Sequence, residues 1–262
     1  MSSWRRSPDV IDLHTHLLPG VDDGSHTIEQ SVEVLERFAE QGVRAVCCTP
    51  HLRASEADDP PCGPLDDLLA ELRDAAPPAV ALSRGFEILL DIPEPDLSDR
   101  CLGLAGTRYV LVEFGRLVEA EASVGALRRV AAQGRVPVLA HPERYAVCTP
   151  ELARAWQEAG AVLQVDATTL LGESRRAERA RALVQAGCAG IVASDNHGDR
   201  RTVFAALEWL ERHGGARQAE LLAVLNPAAI LADAAVAPVP AARIRRSLFT
   251  KFRDLVVGGE EA

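Results

Sequence analysis

Seven short apolar runs, at residues 10–13, 43–48, 80–82, 109–112, 136–140, 162–165 and 191–194, alternate with stretches of helical periodicity, and six of the seven are followed closely by a histidine or an acid. Alternating strand and helix implies a parallel sheet, either open and doubly wound or closed on itself. An open sheet gathers a site at one crevice, so only a few strand ends contribute to it. A closed barrel brings every strand end to one mouth. With candidate ligands after six runs, the pattern predicts an α/β fold of the closed kind, an irregular seven-stranded TIM-like (β/α)7 barrel.

The intervening segments carry helix signals. Residues 27–41 place Val32, Leu35, Phe38 and Ala39 at helical spacing, with Thr27 as a cap and Gly42 as a stop. Further helices are expected over 65–75, 123–133, 151–159, 175–186, 203–212 and 218–225, three of them closed by Gly134, Gly160 and Gly187. Residues 58–64 and 92–95 read as loops, and 234–242 as a linker. A chain of 262 residues with 47% hydrophobic content can bury one large core. One domain is expected over 1–233, with a linker and tail over 234–262.

Charge and cysteines narrow the class. A net charge of -10 argues against a nucleic-acid partner held through phosphates. Residues 1–8 contain no apolar stretch of signal-peptide length, and no run reaches the length of a membrane span, so the expected location is cytoplasmic. The six cysteines, at 47, 48, 62, 101, 148 and 188, form no Cys-x-x-Cys pair, and the expectation is that they are reduced and structural.

Chemistry concentrates in five histidines, His14, His16, His51, His141 and His197, and four acids, Asp23, Glu87, Glu113 and Asp195. His14 and His16 are two residues apart on an extended chain and point the same way, with Asp12 placed to orient an imidazole. Leu17 to Gly24 form a turn ending in paired acids, which by itself reads as ordinary turn chemistry. Glu113 closes an otherwise apolar run, where a carboxylate must be paired, protonated or metal-bound. His141 opens His141-Pro142-Glu143-Arg144-Tyr145, and Asp195 and His197 repeat the alternation of the first motif. Each alone has a bland reading as a hydrogen-bonded core or loop residue. Together they suit Mn, Fe or Zn. His26 and His213 read as surface residues, and Trp156 and Trp209 as packing anchors.

The succession D-x-H-x-H with L-P-G-V-D-D-G, then T-P-H, G-x-E, E-F, A-H-P-E-R-Y and S-D-x-H resembles the polymerase and histidinol phosphatase (PHP) superfamily. Within it, the chain is most similar to the bacterial protein-tyrosine phosphatases of capsule and exopolysaccharide synthesis, from about Asp12 to Asn226-Pro227. The resemblance implies a barrel of the PHP type and a manganese-dependent phosphatase, with Fe or Zn as other possible ions. It implies a three-metal cluster. His14, His16, Glu87 and Asp195 would hold one ion, Glu87 would bridge to a second on Glu113 and His141, and Asp23, His51 and His197 would hold the third. A metal-bridging hydroxide would attack phosphotyrosine, with Arg144 on the phosphoryl oxygens, His197 or Asp195 assisting through water, and Arg53 left from a basic substrate-binding loop. The implied partner is a phosphotyrosine protein, a bacterial tyrosine kinase. Relatives often carry Asn where this chain has Asp166, and that carboxylate could support the site, bind metal or repel phosphate.

Other classes fit the residues less well. Cys47 to Arg53 and Cys148 to Arg154 have the spacing of a cysteine-dependent phosphatase loop, but neither segment contains glycine, and Pro50 and Pro150 each remove a donor. Another PHP phosphoesterase, such as a histidinol-phosphate phosphatase, is the alternative enzyme. A non-catalytic PHP binding module is disfavoured by the full ligand set. Finally, residues 241–257 carry Arg243, Arg245, Arg246, Lys251 and Arg253 against Asp254, with Ile244, Leu248, Phe252, Leu255 and Val256 along one side of a helix. Packing on the barrel is the bland reading of this basic amphipathic segment, and peripheral attachment to the anionic inner membrane surface the functional one.

Overall fold

The computed structural model describes residues 9–242. Nine strands run through them: β1 (Val10–Thr15), β2 (Val43–Cys48), β3 (His51–Arg53), β4 (Ala81–Arg84), β5 (Glu87–Leu89), β6 (Tyr109–Glu113), β7 (Val136–Ala140), β8 (Val162–Asp166) and β9 (Ile191–Ala193). Every strand pair is parallel, in two sheets ordered β1-β2-β4 and β3-β5-β6-β7-β8-β9. The helices α1 (Ile28–Glu40), α2 (Cys62–Ala75), α3 (Ala120–Ala132), α4 (Pro150–Glu158), α5 (Ala167–Leu171), α6 (Arg175–Gln185), α7 (Val203–Arg212), α8 (Ala216–Glu220) and α9 (Asn226–Leu231) connect or follow them. None of the described helices is long and apolar enough to cross a membrane.

The expectation of seven strands in one sheet differs from the nine strands in two sheets, and the difference has a local cause. The extra strands β3 and β5 continue β2 and β4 after short breaks at Thr49-Pro50 and Gly85-Phe86. Pro50 has no N–H to give to a ladder. Across the breaks the pairing keeps one offset: Cys48 faces Arg84 and His51 faces Glu87, both 36 residues apart. Gly85 N–H still donates to Cys48 O at 2.9 Å and Glu87 N–H to Pro50 O at 3.0 Å. At the other edge, β1 meets the end of β9 through an isolated parallel bridge between Thr15 and Asn196.

Local signals explain the helices. Thr27 accepts from Gln30 N–H at the start of α1, and Thr149, Ser174 and Thr202 cap α4, α6 and α7 in the same manner. Gly42, Gly134, Gly160 and Gly187 all have positive φ, so the chain leaves each helix through a left-handed residue. Trp156 is fully buried and donates to Ser123 Oγ at 2.8 Å, as a packing anchor should.

Two features correct the sequence reading. Cys62, at the start of α2, and Cys101 form a disulfide with Cα atoms 6.4 Å apart, so the six cysteines are not all reduced. They lie 39 residues apart with no repeating spacing, and only the fold brings them together. Cys47, Cys48, Cys148 and Cys188 are free and buried, as expected. The 234–242 stretch, read as a linker, is tied to the domain: Ala234 O accepts from the Tyr109 hydroxyl, Ala237 N–H donates to Asn226 Oδ1, and Ala242 N–H donates to Gln185 O. The basic amphipathic segment lies, beyond residue 242, outside the described residues.

Candidate metal centre

His14 and Glu113 lie at the C-terminal ends of β1 and β6, His16, His141, Asp195 and His197 just beyond β1, β7 and β9, and Asp23 in the β1–α1 loop. His51 and Glu87 open β3 and β5 just past the ends of β2 and β4, and the parallel strands deliver all these positions to one side of the molecule. Two of the positions bend the backbone sharply: His141 and Asp195 have φ of 33° and 50°. Left-handed backbone at non-glycine residues is strained and tends to mark functional sites. It turns these side chains inward at the point where β7 and β9 end.

His14, His16, Glu87 and Asp195, all buried, form the centre of the cluster. His14 Nε2 lies 3.2 Å from His16 Nε2 and 3.3 Å from both Glu87 Oε2 and Asp195 Oδ1, while His16 Nε2 lies 3.4 Å from the same two oxygens. Their other ring nitrogens are engaged: His14 Nδ1 is 2.9 Å from Gln164 Oε1, and His16 Nδ1 is 2.7 Å from Asp22 Oδ2. With Nδ1–H donating to those oxygens, each Nε2 presents a lone pair. Four acceptors therefore face one another. For edges of this length a common centre lies about 2 Å from each atom, the length of a metal bond to nitrogen or oxygen. The bare protein shows the same demand for positive charge. Burial alone would lower the pKa of His14, but Glu87 and Asp195 raise it to about 9.

Two further groups share atoms with the first. His16, Asp23, His51 and His197 converge toward solvent, with Asp23 Oδ1 3.3 Å from His51 Nε2 and 3.5 Å from His197 Nε2. His197 Nδ1 is 2.9 Å from Asp195 O, which again leaves Nε2 free to ligate. On the other side, His51, Glu87 and Glu113 form a group. His141 Nε2 approaches it at 2.7 Å from Glu87 Oε1 and 3.8 Å from Glu113 Oε2. Burial and the neighbouring Glu87 raise Glu113 to about 7, a carboxylate short of compensating charge. This donor set, rich in buried acceptors and poor in donors, fits divalent cations.

Arg144 sits at the rim in the turn Pro142–Arg144. Its Nη2 donates to both Asp195 Oδ2 and Asp166 Oδ2, the latter at 3.1 Å. Burial would lower its pKa, but the two carboxylates hold it well above the ordinary value. Arg53 is mostly exposed, and its described ion pair, at 3.8 Å, is with Asp91 rather than the cluster.

All nine expected ligand positions thus come together, and several supporting residues were not foreseen. Asp12 does not orient an imidazole, which corrects that reading: its Oδ1 accepts from Ser194 N–H at 3.0 Å and ties β1 to β9. The imidazoles are oriented by Gln164 and Asp22 instead. Gln164 had a readable signal, a polar residue inside the apolar run 162–165. Arg201, 3.6 Å from Asp195 Oδ2, had none.

Fold and centre together define a parallel α/β protein whose strand ends gather a histidine–carboxylate centre of the kind metal-dependent hydrolases use. Residues 10–232 match the capsular polysaccharide synthesis family CpsB/CapC, and the chain belongs to that family. It is 30% identical over 210 residues to the tyrosine-protein phosphatase YwqE of Bacillus subtilis, covering 77% of this chain and 82% of the relative. It is 28% identical over 240 residues to the tyrosine-protein phosphatase CpsB of Streptococcus pneumoniae, covering 86% and 99%. A crystal structure from work on those two proteins, described as unique metal-dependent tyrosine phosphatases, superimposes with a TM-score of 0.72 at 28% identity, over 90% of this chain and 100% of that one. An organophosphorus hydrolase from Deinococcus radiodurans, at 13% identity and a TM-score of 0.56 over 88% and 95%, shares the fold.

Proposed function

We propose that this protein is a metal-dependent phosphotyrosine-protein phosphatase that acts on a bacterial tyrosine kinase and thereby regulates capsule or exopolysaccharide synthesis. The observation that carries the reading is the acceptor-only meeting of His14, His16, Glu87 and Asp195 at 3.2–3.4 Å, in a chain of this family. Its fold is read as one irregular barrel, supported by the unbroken offset across the β2/β3 and β4/β5 breaks and by the Thr15–Asn196 bridge.

His14, His16, Glu87 and Asp195 would hold one ion, Glu87, Glu113 and His141 a second, and Asp23, His51 and His197 a third, with manganese the proposed metal. When bound, such ions neutralise the phosphoryl dianion and bring a water's pKa near neutrality. The chain's own residues then have separate tasks. Asp22 and Gln164 fix the tautomers of His16 and His14. Arg144 offers guanidinium N–H groups to phosphoryl oxygens as a charge-assisted fork. Phenolate leaves readily, so little acid assistance is required of His197 or Asp195. The catalytic domain is taken to extend through the docked segment 234–242, with the basic tail beyond it either packing on the barrel or touching the inner membrane surface. Purified manganese-loaded protein should hydrolyse a phosphotyrosine peptide far faster than histidinol phosphate. The reverse preference would make it a different PHP phosphoesterase.

A further inference from the structure

Asp166 is buried at the end of β8 and held from three directions. Its N–H donates to Glu143 Oε1 at 2.9 Å, its Oδ1 accepts from Thr169 N–H at 2.9 Å as the cap of α5, and its Oδ2 accepts from Arg144 Nη2 at 3.1 Å. The first contact anchors the Asp166 backbone and the second holds one carboxylate oxygen on the α5 cap. The third places its free oxygen on the guanidinium that the proposed function assigns to phosphate.

Carboxylate and phosphoryl oxygens seek the same guanidinium N–H groups with the same planar geometry. Asp195 already occupies part of the Arg144 fork. A phosphoryl group arriving at Arg144 therefore meets a second, pre-positioned anion. We propose that Asp166 is a positioning residue that occupies Arg144 as an internal stand-in for phosphate, keeping the guanidinium aimed at the site and weakening the hold on product phosphate. Substrate and product share the phosphoryl group, so both lose affinity. Release of inorganic phosphate gains from it. The inference rests on the reading that Arg144 binds phosphate.

The test uses full-length manganese-loaded protein and inorganic phosphate as the probe. In Asp166→Asn the amide oxygen keeps the α5 cap, since helix N–H groups favour it, and the contact to Arg144 loses its anionic oxygen. Phosphate should bind roughly three- to tenfold more tightly by isothermal titration calorimetry, with the peptide KM falling in step and metal content unchanged. Asp166→Ser also caps α5 and lacks the charge. It should show the same tightening, which keeps the test open if the Asn variant folds poorly. Adding Arg144→Ala to either variant should erase the gain. Unchanged or weaker phosphate binding in both Asp166 variants, with Arg144→Ala alone weakening it, would overturn the role of Asp166. If Arg144→Ala alone left phosphate binding unchanged, the assignment of Arg144 to phosphate would fall, and this inference with it.

Discussion

His16 is buried, faces two carboxylates and a second imidazole, and owes the direction of its lone pair to the 2.7 Å contact between its Nδ1 and Asp22. Partners that orient a ligating imidazole are worth about 10–100-fold in metal affinity. Asp22→Ala should cost that much, measured by competition with a fluorescent chelator, and an unchanged affinity would show that the tautomer needs no partner. The buried thiols predict the opposite behaviour, inertness. Burial pushes Cys47 up to about 11 and Cys148 to about 12, so neither offers a thiolate at neutral pH. Iodoacetamide should leave activity intact, and Cys47→Ser should remain active. Because these folded pKa values lie above the unfolded ones, neutral thiols contribute stability below about pH 8.5 that is lost as the pH rises through the folded values. Most ligands were legible residue by residue because they follow an apolar run closely, but Asp23 was implied only by the family resemblance, since its turn reads by itself as ordinary turn chemistry. Asp22 was not legible, since the sequence does not say which acid of the pair 22–23 turns toward an imidazole.

The loop between β1 and α1 shows how an element is built around one close approach. Ser25 N–H donates to His16 O at 2.9 Å, folding the loop back on the ligand, and a Cβ on Gly24 would lie 2.1 Å from that same oxygen. Only glycine fits there. Gly24→Ala should push the loop off His16, carrying Asp22 and Asp23 with it. A loss of about 1–3 kcal/mol in urea unfolding is expected, together with metal loss from the His16, Asp23, His51 and His197 group. A variant with wild-type stability and full metal content would contradict this account of the loop. Helices were readable from caps and stop glycines. The three-residue strands β3 and β5 were not, because runs that short, set off by Pro50 and Gly85, carry no periodicity. The helices α5 and α9 were missed for the same reason of length.

At the scale of the molecule, the cluster joins strands from both sheets: His14 from β1, His51 from β3, Glu87 from β5 and Glu113 from β6, with His141 and Asp195 just beyond β7 and β9. Cations bound there would tie the two sheets together, and a ligand that binds only the folded state stabilises it by about 2.7 kcal/mol at 100 times its Kd. Stripping metal should therefore lower the Tm by several degrees, and manganese should restore it. This convergence was legible in the alternation of runs and ligands. The Cys62–Cys101 disulfide and the docking of 234–242 were not, since both depend on contacts between distant segments that leave no local pattern.

The central claim, that these strand ends form a metal centre for phosphotyrosine hydrolysis, meets its most direct test in one titration. Metal-stripped protein is reconstituted with manganese in steps, and bound metal and turnover of a phosphotyrosine peptide are measured on the same samples. The account predicts negligible turnover without metal, activity rising with occupancy of the cluster, and loss of both in Glu87→Ala. Full turnover in the metal-stripped protein, or saturating metal binding in Glu87→Ala, would contradict it.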